Sequence, residues 1–348
     1  MKSKLIKNIA AYPILRRKFL EYIPGAHRLP AGFTPKKLFW DYLKVRRQNP
    51  GRRVSMSEYM IFGFYGLTLS QQQAFLTDVE ATLLMRPYNS ESEAILKDKV
   101  CFMRTFSQFI GRDWLYLPEA SEAEFAAFAK KHPVMALKPP TSSWGIGFRK
   151  LDMSEVSDLR AAFTQLREGG YLAEEFLTSS PELAKYHPAS LNTLRVITFV
   201  SGERFEVFGA GLRVGNGGRN VDNAHGGGIF CEVDAKTGVI ITDGLDECGN
   251  EYVRHPVTGQ SFRGQVIPRW DDIVELCRKA SCAQPCLHVV GWDVAVLADG
   301  SLELIEGNHN PGMNIVQAPA KRGVKWKFQA MLKDFYGSEL PPEEKGKP

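Results

Sequence analysis

The stretch GWDVAVLADGSLELIEGNHNPGMN, residues 291–314, decides how the chain is read. Val294, Val296 and Leu297 form a strand pattern, Asp299-Gly300 is a two-residue hairpin signal, and Leu302, Leu304 and Ile305 form the returning strand. With Asp299 and Gly300 in the turn, Ala298 faces Ser301, and counting back sets Asp293 opposite Glu306. Asn308, two residues on, points to the same face. Like charges facing each other across a ladder destabilise it, so the pairing needs a reason. A hard divalent cation supplies one: magnesium takes oxygen ligands from one or two carboxylates and fills its shell with water and substrate phosphates. The alternative at this point is a solvated hairpin with its acids turned outward.

The chain has 348 residues, enough for a large core and for about two domains. Its 44% hydrophobic and 24% charged residues are those of an ordinary globular protein. No apolar core with a small-residue cleavage site follows the basic N-terminus, so no signal peptide is expected. The longest uncharged stretch, Tyr59 to Thr77, is broken by Gly63, Gly66 and three glutamines, which argues against a membrane span. None of the six cysteines forms a Cys-x-x-Cys pair, and Cys277, Cys282 and Cys286 lack zinc-site spacing. They read as reduced thiols of a cytoplasmic protein. The net charge of +5 is unevenly spread. Residues 1–53 carry 14 Lys plus Arg against Glu21 and Asp41, a net +12, which leaves −7 for the rest. Such an end suits an anionic partner: a phosphorylated substrate, an anionic membrane surface or nucleic acid. A solvated helical surface is the bland alternative.

Residues 1–95 read as mostly helical, with Thr34-Pro35 and Ser55 or Ser57 as helix starts and a further helix from Leu69 to Arg86-Pro87. They form a helical accessory domain. Residues 96–180 alternate helix and strand: helices over Lys99–Ile110, Ser121–Lys131 and 154–167, and strands over Val134–Lys138 and Tyr171–Leu177. Residues 181–325 are rich in strands, including a hairpin of Leu194–Val200 and Phe205–Leu212. Residues 326–348 form a C-terminal helix and a polar tail.

Several motifs carry chemistry. Lys138 ends a strand ahead of PPTSSWGIG, a small, polar loop whose amides can close over phosphates while the lysine neutralises charge. Arg195 and Arg213 lie on or beside the strands of the expected hairpin, and arginine's planar fork suits phosphate or carboxylate. The glycine-rich loop Asn216–Gly228 has the length of a lid; Asn223 is its first candidate, with Arg219 and His225 behind it.

Taken in chain order, these pieces resemble the ATP-grasp superfamily, over about Lys97 to Val316. The Asn-Thr-Leu-Arg stretch at 192–195, the Gly-Gly-x-Asn-x-x-Asn-x-x-Gly-Gly loop and the helical N-terminal region look most like its sugar-transfer-associated members. The resemblance implies an α+β fold, in which two α/β lobes clasp ATP, here with a helical N-terminal domain: a small lobe at 96–180 and a large lobe at 181–325. It implies Mg2+ on Asp293, Glu306 and Asn308. It implies ATP held by Lys99 (of Asp98-Lys99), Lys138, Ser142, Ser143, Gly145 and Gly147. Glu174, Glu175, Phe176 and Leu177 would meet the adenine, and Glu182 the ribose. Arg195, Arg213 and Asn223 would serve the reaction centre. The activity implied is a carboxylate–amine ligase working through an acyl phosphate, in surface-polysaccharide or peptide-like metabolite synthesis. Its substrates would be small carboxylates and amines, anionic or sugar-linked, with no nucleic acid. The charge of the basic N-terminus, rather than the resemblance, is what suggests peripheral membrane contact. Phosphotransfer to a hydroxyl or sugar, and a non-catalytic nucleotide-binding module, are the alternatives. One departure stands out: Gly291-Trp292 occupies the place where some ligases of the superfamily put an arginine before the metal-binding aspartate.

Overall fold

Val290, Trp292, Val294 and Val296 alternate with Gly291, Asp293 and Ala295, and this period of two gives one sheet two different faces. The computed structural model describes residues 13–23, 29–142, 145–217 and 227–337. Its strands are β1 (Trp114–Tyr116), β2 (Val134–Lys138), β3 (Arg149–Asp152), β4 (Leu172–Glu175), β5 (Thr193–Ser201), β6 (Arg204–Val214), β7 (Ile229–Val233), β8 (Gly244–Leu245), β9 (Glu251–Tyr252), β10 (Val289–Val296) and β11 (Leu302–Asn308). They form a four-stranded sheet, β1-β4-β2-β3, and a seven-stranded one, β11-β10-β5-β6-β7-β8-β9. All their pairings are antiparallel.

On the large sheet, Val290, Trp292, Val294 and Val296 pack with Ile273, Cys277 and Ala280 of helix Trp270–Ser281. The opposite face is divided. Ile197, Phe199, Phe230 and Val289 share a core with Phe39, Tyr59 and Phe75 of the N-terminal helices and with Phe328 and Phe335 of helix Lys325–Tyr336. The first and last parts of the chain therefore cover one half of this face together. The other half carries Asp293 and Arg195 and is the floor of a cleft. In the small sheet, Met135 and Leu137 of β2 pack on Phe125 and Phe163, while Ala136 and Lys138 turn to the cleft.

Local sequence explains most helix starts. Thr34 caps Pro35–Gln48 with proline in the first turn, and Ser55, Thr68, Thr77 and Ser121 each form a capping box. The capping box at Thr77 also corrects the single helix expected from Leu69 to Pro87. There are two, Leu69–Gln73 and Asp78–Asn89, and Pro87 lies inside the second. The helix expected over Lys99–Ile110 stops at Thr105 and gives way to a tight turn over Ser107–Phe109.

Candidate active site

Asp293 sits in the middle of a row that crosses the large sheet, with Glu306 of β11 on one side and Arg195 of β5 on the other. The expected Asp293–Glu306 pairing is present, but the turn assumed for it is not. Leu297, rather than Ala298, pairs with Ser301, and the loop closes with Gly300 donating to the Leu297 carbonyl at 2.8 Å. Val294 then pairs with Leu304, and a bulge between this pair and Asp293–Glu306 restores the offset. Two one-residue departures cancel. The bulge inserts Ile305, so that Ile305 and Glu306 both line the cleft.

Three glycines shape the floor. A Cβ on Gly291 would meet Pro311 at 2.6 Å and Arg195 Cδ at 3.1 Å; one on Gly211 would meet Ile315 at 2.3 Å, and one on Gly209 Val316 at 2.7 Å. Residues 311–316 therefore lie in a furrow that only missing side chains allow.

The Asp293 carboxylate is fully buried. Arg195 Nε donates to Oδ1 and Arg195 Nη2 to Oδ2 at 3.0 Å; Arg213 Nη2 reaches Oδ2 at 2.8 Å and is steadied by Thr193 Oγ1, also at 2.8 Å. Burial would raise the Asp293 pKa, but Arg195 and Arg213 together hold it at about 2. Glu306 goes the other way. Enclosure by the cleft walls and the Asp293 carboxylate beside it push its pKa up, although 40% of its side chain is open to the cleft. Asn308 Nδ2 donates to Glu306 Oε1 at 3.3 Å and to the Gly291 carbonyl at 3.3 Å. Two carboxylates and an amide, close enough that one acid resists ionising, are a donor set suited to a hard divalent cation.

The cleft, about 610 Å3, is closed on its other side by the small lobe. Lys138 Nζ donates to Glu174 Oε2 at 2.9 Å. Lys99, first residue of helix Lys99–Thr105, donates its backbone N–H to Pro140 and its ammonium to the Ser142 carbonyl. Its neighbour Asp98 is the helix cap, accepting from Cys101 N–H at 2.9 Å. Burial lowers the Lys99 pKa, opposed by Glu306 and aided by Lys138. Ser142, Gly145, Glu174, Glu175, Phe176 and Leu177 also line the cleft. Gly147 does not; at φ +80°, with a Cβ only 2.6 Å from Pro139, it shapes the loop. Glu182 lies away from the cleft, on the exposed first turn of Pro181–Ala184. Ser143, Arg219, Asn223 and His225 fall outside the described residues.

Arg112 is the residue the sequence reading missed. Its side chain is 2% exposed, and it donates to Glu174 at 2.6 Å, to Glu303 at 2.5 Å, and to the carbonyls of Leu304 and Ile305 at 2.8 and 3.0 Å. It thus bolts β4 of the small sheet to the bulge in β11 of the large one. Burial would raise the Glu174 pKa, but Lys138 and Arg112 hold it at about 2. The only local sign was a charged Gly-Arg-Asp ahead of Trp-Leu-Tyr.

A model described as sugar-transfer associated ATP-grasp matches residues 153–333, just over half of the chain. The chain belongs to the sugar-transfer associated ATP-grasp family. The matched span of this ATP-grasp protein takes in β4, the large sheet and the β10–β11 hairpin but not Lys99 or Lys138, which join the site by geometry alone. No curated protein sequence matched. Among solved structures, N5-carboxyaminoimidazole synthase from Aspergillus clavatus, in complex with ADP and 5-aminoimidazole ribonucleotide, is 15% identical (TM-score 0.40; 63% of this chain, 45% of that one). The ATP-grasp ligase PsnB with its minimal precursor, Mg and ADP is 16% identical (0.41; 70% and 61%). D-alanyl-alanine synthetase A from Vibrio cholerae is 11% identical (0.43; 71% and 67%). The chain spans about half the length of the first solved proteins it matches.

Proposed function

We propose that this ATP-grasp protein is an ATP- and Mg2+-dependent carboxylate–amine ligase. The observation that carries the reading is the convergence of Asp293, Glu306 and Asn308 with Arg195, Arg213, Lys99 and Lys138 on one cleft. Asp293, Glu306 and Asn308 would hold Mg2+, which draws charge from the phosphates when bound. Lys99 and Lys138 would neutralise the phosphates, and Phe176 and Leu177 would wall the adenine. A substrate carboxylate oxygen attacks the γ-phosphorus and ADP departs. The resulting acyl phosphate is attacked by an amine nitrogen, which loses a proton as phosphate leaves and an amide forms. Arg195 and Arg213 offset the charge on the transferring group. The chain's share is positioning and electrostatics.

The cleft also runs away from the cations. Past Arg213 it is lined by Phe230, Glu247, Asp78 and Asn314, and Asn314 Oδ1 is shielded there without a hydrogen-bond partner among the described residues. This end, walled partly by the N-terminal helices, is where the carboxylate and amine substrates would sit. Sugar-linked substrates and a role in surface-polysaccharide synthesis extend the same reading. The test is mass spectrometry of products from ATP, Mg2+, mixed amino acids and amino-sugar acceptors. ADP release that requires both a carboxylate and an amine supports a ligase; a phosphorylated sugar without an amine would replace it with phosphotransfer.

A further inference from the structure

The helix Pro35–Gln48 buries Leu38, Phe39, Tyr42 and Val45 on one side. Its outer side is unlike an ordinary solvated face. Lys36, Lys37, Trp40, Lys44 and Arg47 are all exposed, and at 3.6 residues per turn they fall within about 100° of arc. Lys36 and Lys44 stand one turn before and one turn after Trp40, whose large ring is 50% exposed. The one acid of the helix, Asp41, is turned aside and accepts from Tyr59 OH at 2.7 Å. The stripe therefore holds four cations, one indole and no carboxylate. Packed against the inner side through Phe19, which stacks on Tyr42, the helical residues 13–22 carry exposed Arg16 and Lys18, an Arg17 paired with Glu21 at 3.6 Å, and an Ile14 that is 53% exposed. Arg52, by contrast, is spent internally on Glu80, at 2.9 Å. Among the described residues, no helix is long and apolar enough to cross a membrane.

We propose that this face docks on an anionic phospholipid surface. The apolar side of this helix is spent on the core, so the contact with a bilayer interface is made by the tryptophan and the lysines around it. The indole settles at headgroup level, and the flexible lysine stems reach up to the phosphates. Each cation close to such a surface strengthens partitioning roughly fivefold. The centring of the indole within the cationic stripe favours a lipid interface over a polyanion, for which a tryptophan is not needed at the middle of every contact. The cleft residues take no part in this surface, so the proposal stands whether or not the ligase reading survives.

The test is co-sedimentation of the full chain with vesicles of phosphatidylcholine, with and without an equal share of phosphatidylglycerol, at 0.1 M salt. Binding is expected only to the anionic vesicles and should fall as salt rises. The pair Lys36→Glu and Lys44→Glu should weaken it at least tenfold with an unchanged melting temperature, because both side chains are exposed; Trp40→Ala, whose ring also meets Phe39, should weaken it severalfold when compared well below its own midpoint. Trp40→Phe should also remove a blue shift of fluorescence on binding. Equal binding to neutral vesicles, no binding to anionic ones, indifference to the paired charge reversal, or tighter binding to a single-stranded oligonucleotide than to the vesicles would each overturn the proposal.

Discussion

Two buried carboxylates, Asp293 and Glu174, are each held by two cations and each kept near a pKa of about 2. Their own exposure is nearly the same, 1% and 3% of the side chain. What differs is where their partners stand. Arg195 and Arg213 keep 12% and 18% of their side chains open to the cleft, so both can turn part of their charge toward a ligand. Arg112 keeps 2% and spends its donors on Glu174, Glu303 and two carbonyls. The second cation on Glu174, Lys138, is 22% open and borders the cleft as well, so the contrast lies in Arg112. With both cations facing the cleft the device is free to meet a ligand; with one of them spent between the sheets it also holds two lobes together.

Substitutions that part these two roles should separate activity from stability. The largest effect is expected at Asp293→Asn, which keeps the shape but removes the charge that orders both arginines and, in the proposed reading, the cation. Turnover in an ADP-release assay should fall on the order of 10²–10³-fold. Stability should fall by about 2 kcal/mol, the linkage value of an aspartate held at about 2 against an ordinary 3.8, and by less than at Arg112, because Arg195 and Arg213 can then be solvated from the cleft. Full activity in this variant would break the assignment of Asp293 to the reaction.

Arg112→Met should show the reverse pattern. Removing one partner of a buried ionic set leaves Glu303 without its cation and Glu174 with Lys138 alone, at a cost of about 3–5 kcal/mol, read as a lower midpoint in urea. Nucleotide affinity of the fraction that remains folded should change far less than in the Asp293 variant. A stability loss below about 1 kcal/mol would mean that the lobes are held by apolar contact alone.

Neither of these networks was equally legible in the sequence. The metal-type trio was readable because a turn signal and a period of two suffice to align Asp293, Glu306 and Asn308. Even there the register rested on two compensating details, a loop that closes one pair earlier and a bulge at Ile305, which no local pattern announces. Lys138 and the two arginines were found by chain order. Arg112 could not be, because its partners lie 62 and 191 residues away and nothing near it in sequence asks for a cation. The furrow on Gly209, Gly211 and Gly291 is invisible for the same reason: each glycine answers a residue between Pro311 and Val316. The N-terminal helices were legible one by one from their caps, but their shared core with Lys325–Tyr336 was not.

The pH dependence of stability sharpens the comparison on the Glu174 side. Its folded pKa lies below the ordinary 4.5, at about 2, so its ionisation contributes stability above pH 4.5 and loses it as the pH falls toward 2. The full contribution is on the order of 3 kcal/mol, with roughly 2 kcal/mol of it gone by pH 3. Glu174→Gln should be less stable than the parent at pH 7 and should lose less than the parent on going from pH 7 to pH 3, in urea titrations at both. Parallel losses would show that Arg112 does not depend on this carboxylate.

The smallest effect is expected at Glu182, the carboxylate that the family resemblance proposes for the ribose. It stands on the exposed first turn of a four-residue helix, where its own backbone N–H and the Ser180 hydroxyl lower its pKa, and it does not border the cleft. Glu175 instead ends β4, the strand that leads from the small sheet toward the large one, borders the cleft, and accepts from Asp113 N–H at 3.3 Å. If nucleotide sits where Lys99, Lys138 and Phe176 converge, a ribose hydroxyl is nearer to Glu175 than to a side chain beyond the strand. Glu182→Ala should therefore change ATP affinity by less than about twofold, while Glu175→Ala should weaken it by about fivefold or more, as loss of a charged hydrogen bond does. Titration calorimetry with Mg2+ and ATP reads both. A large loss at Glu182 with none at Glu175 would mean that segment 178–184 swings inward when nucleotide binds, and the ribose would then have to be placed beyond the end of β4.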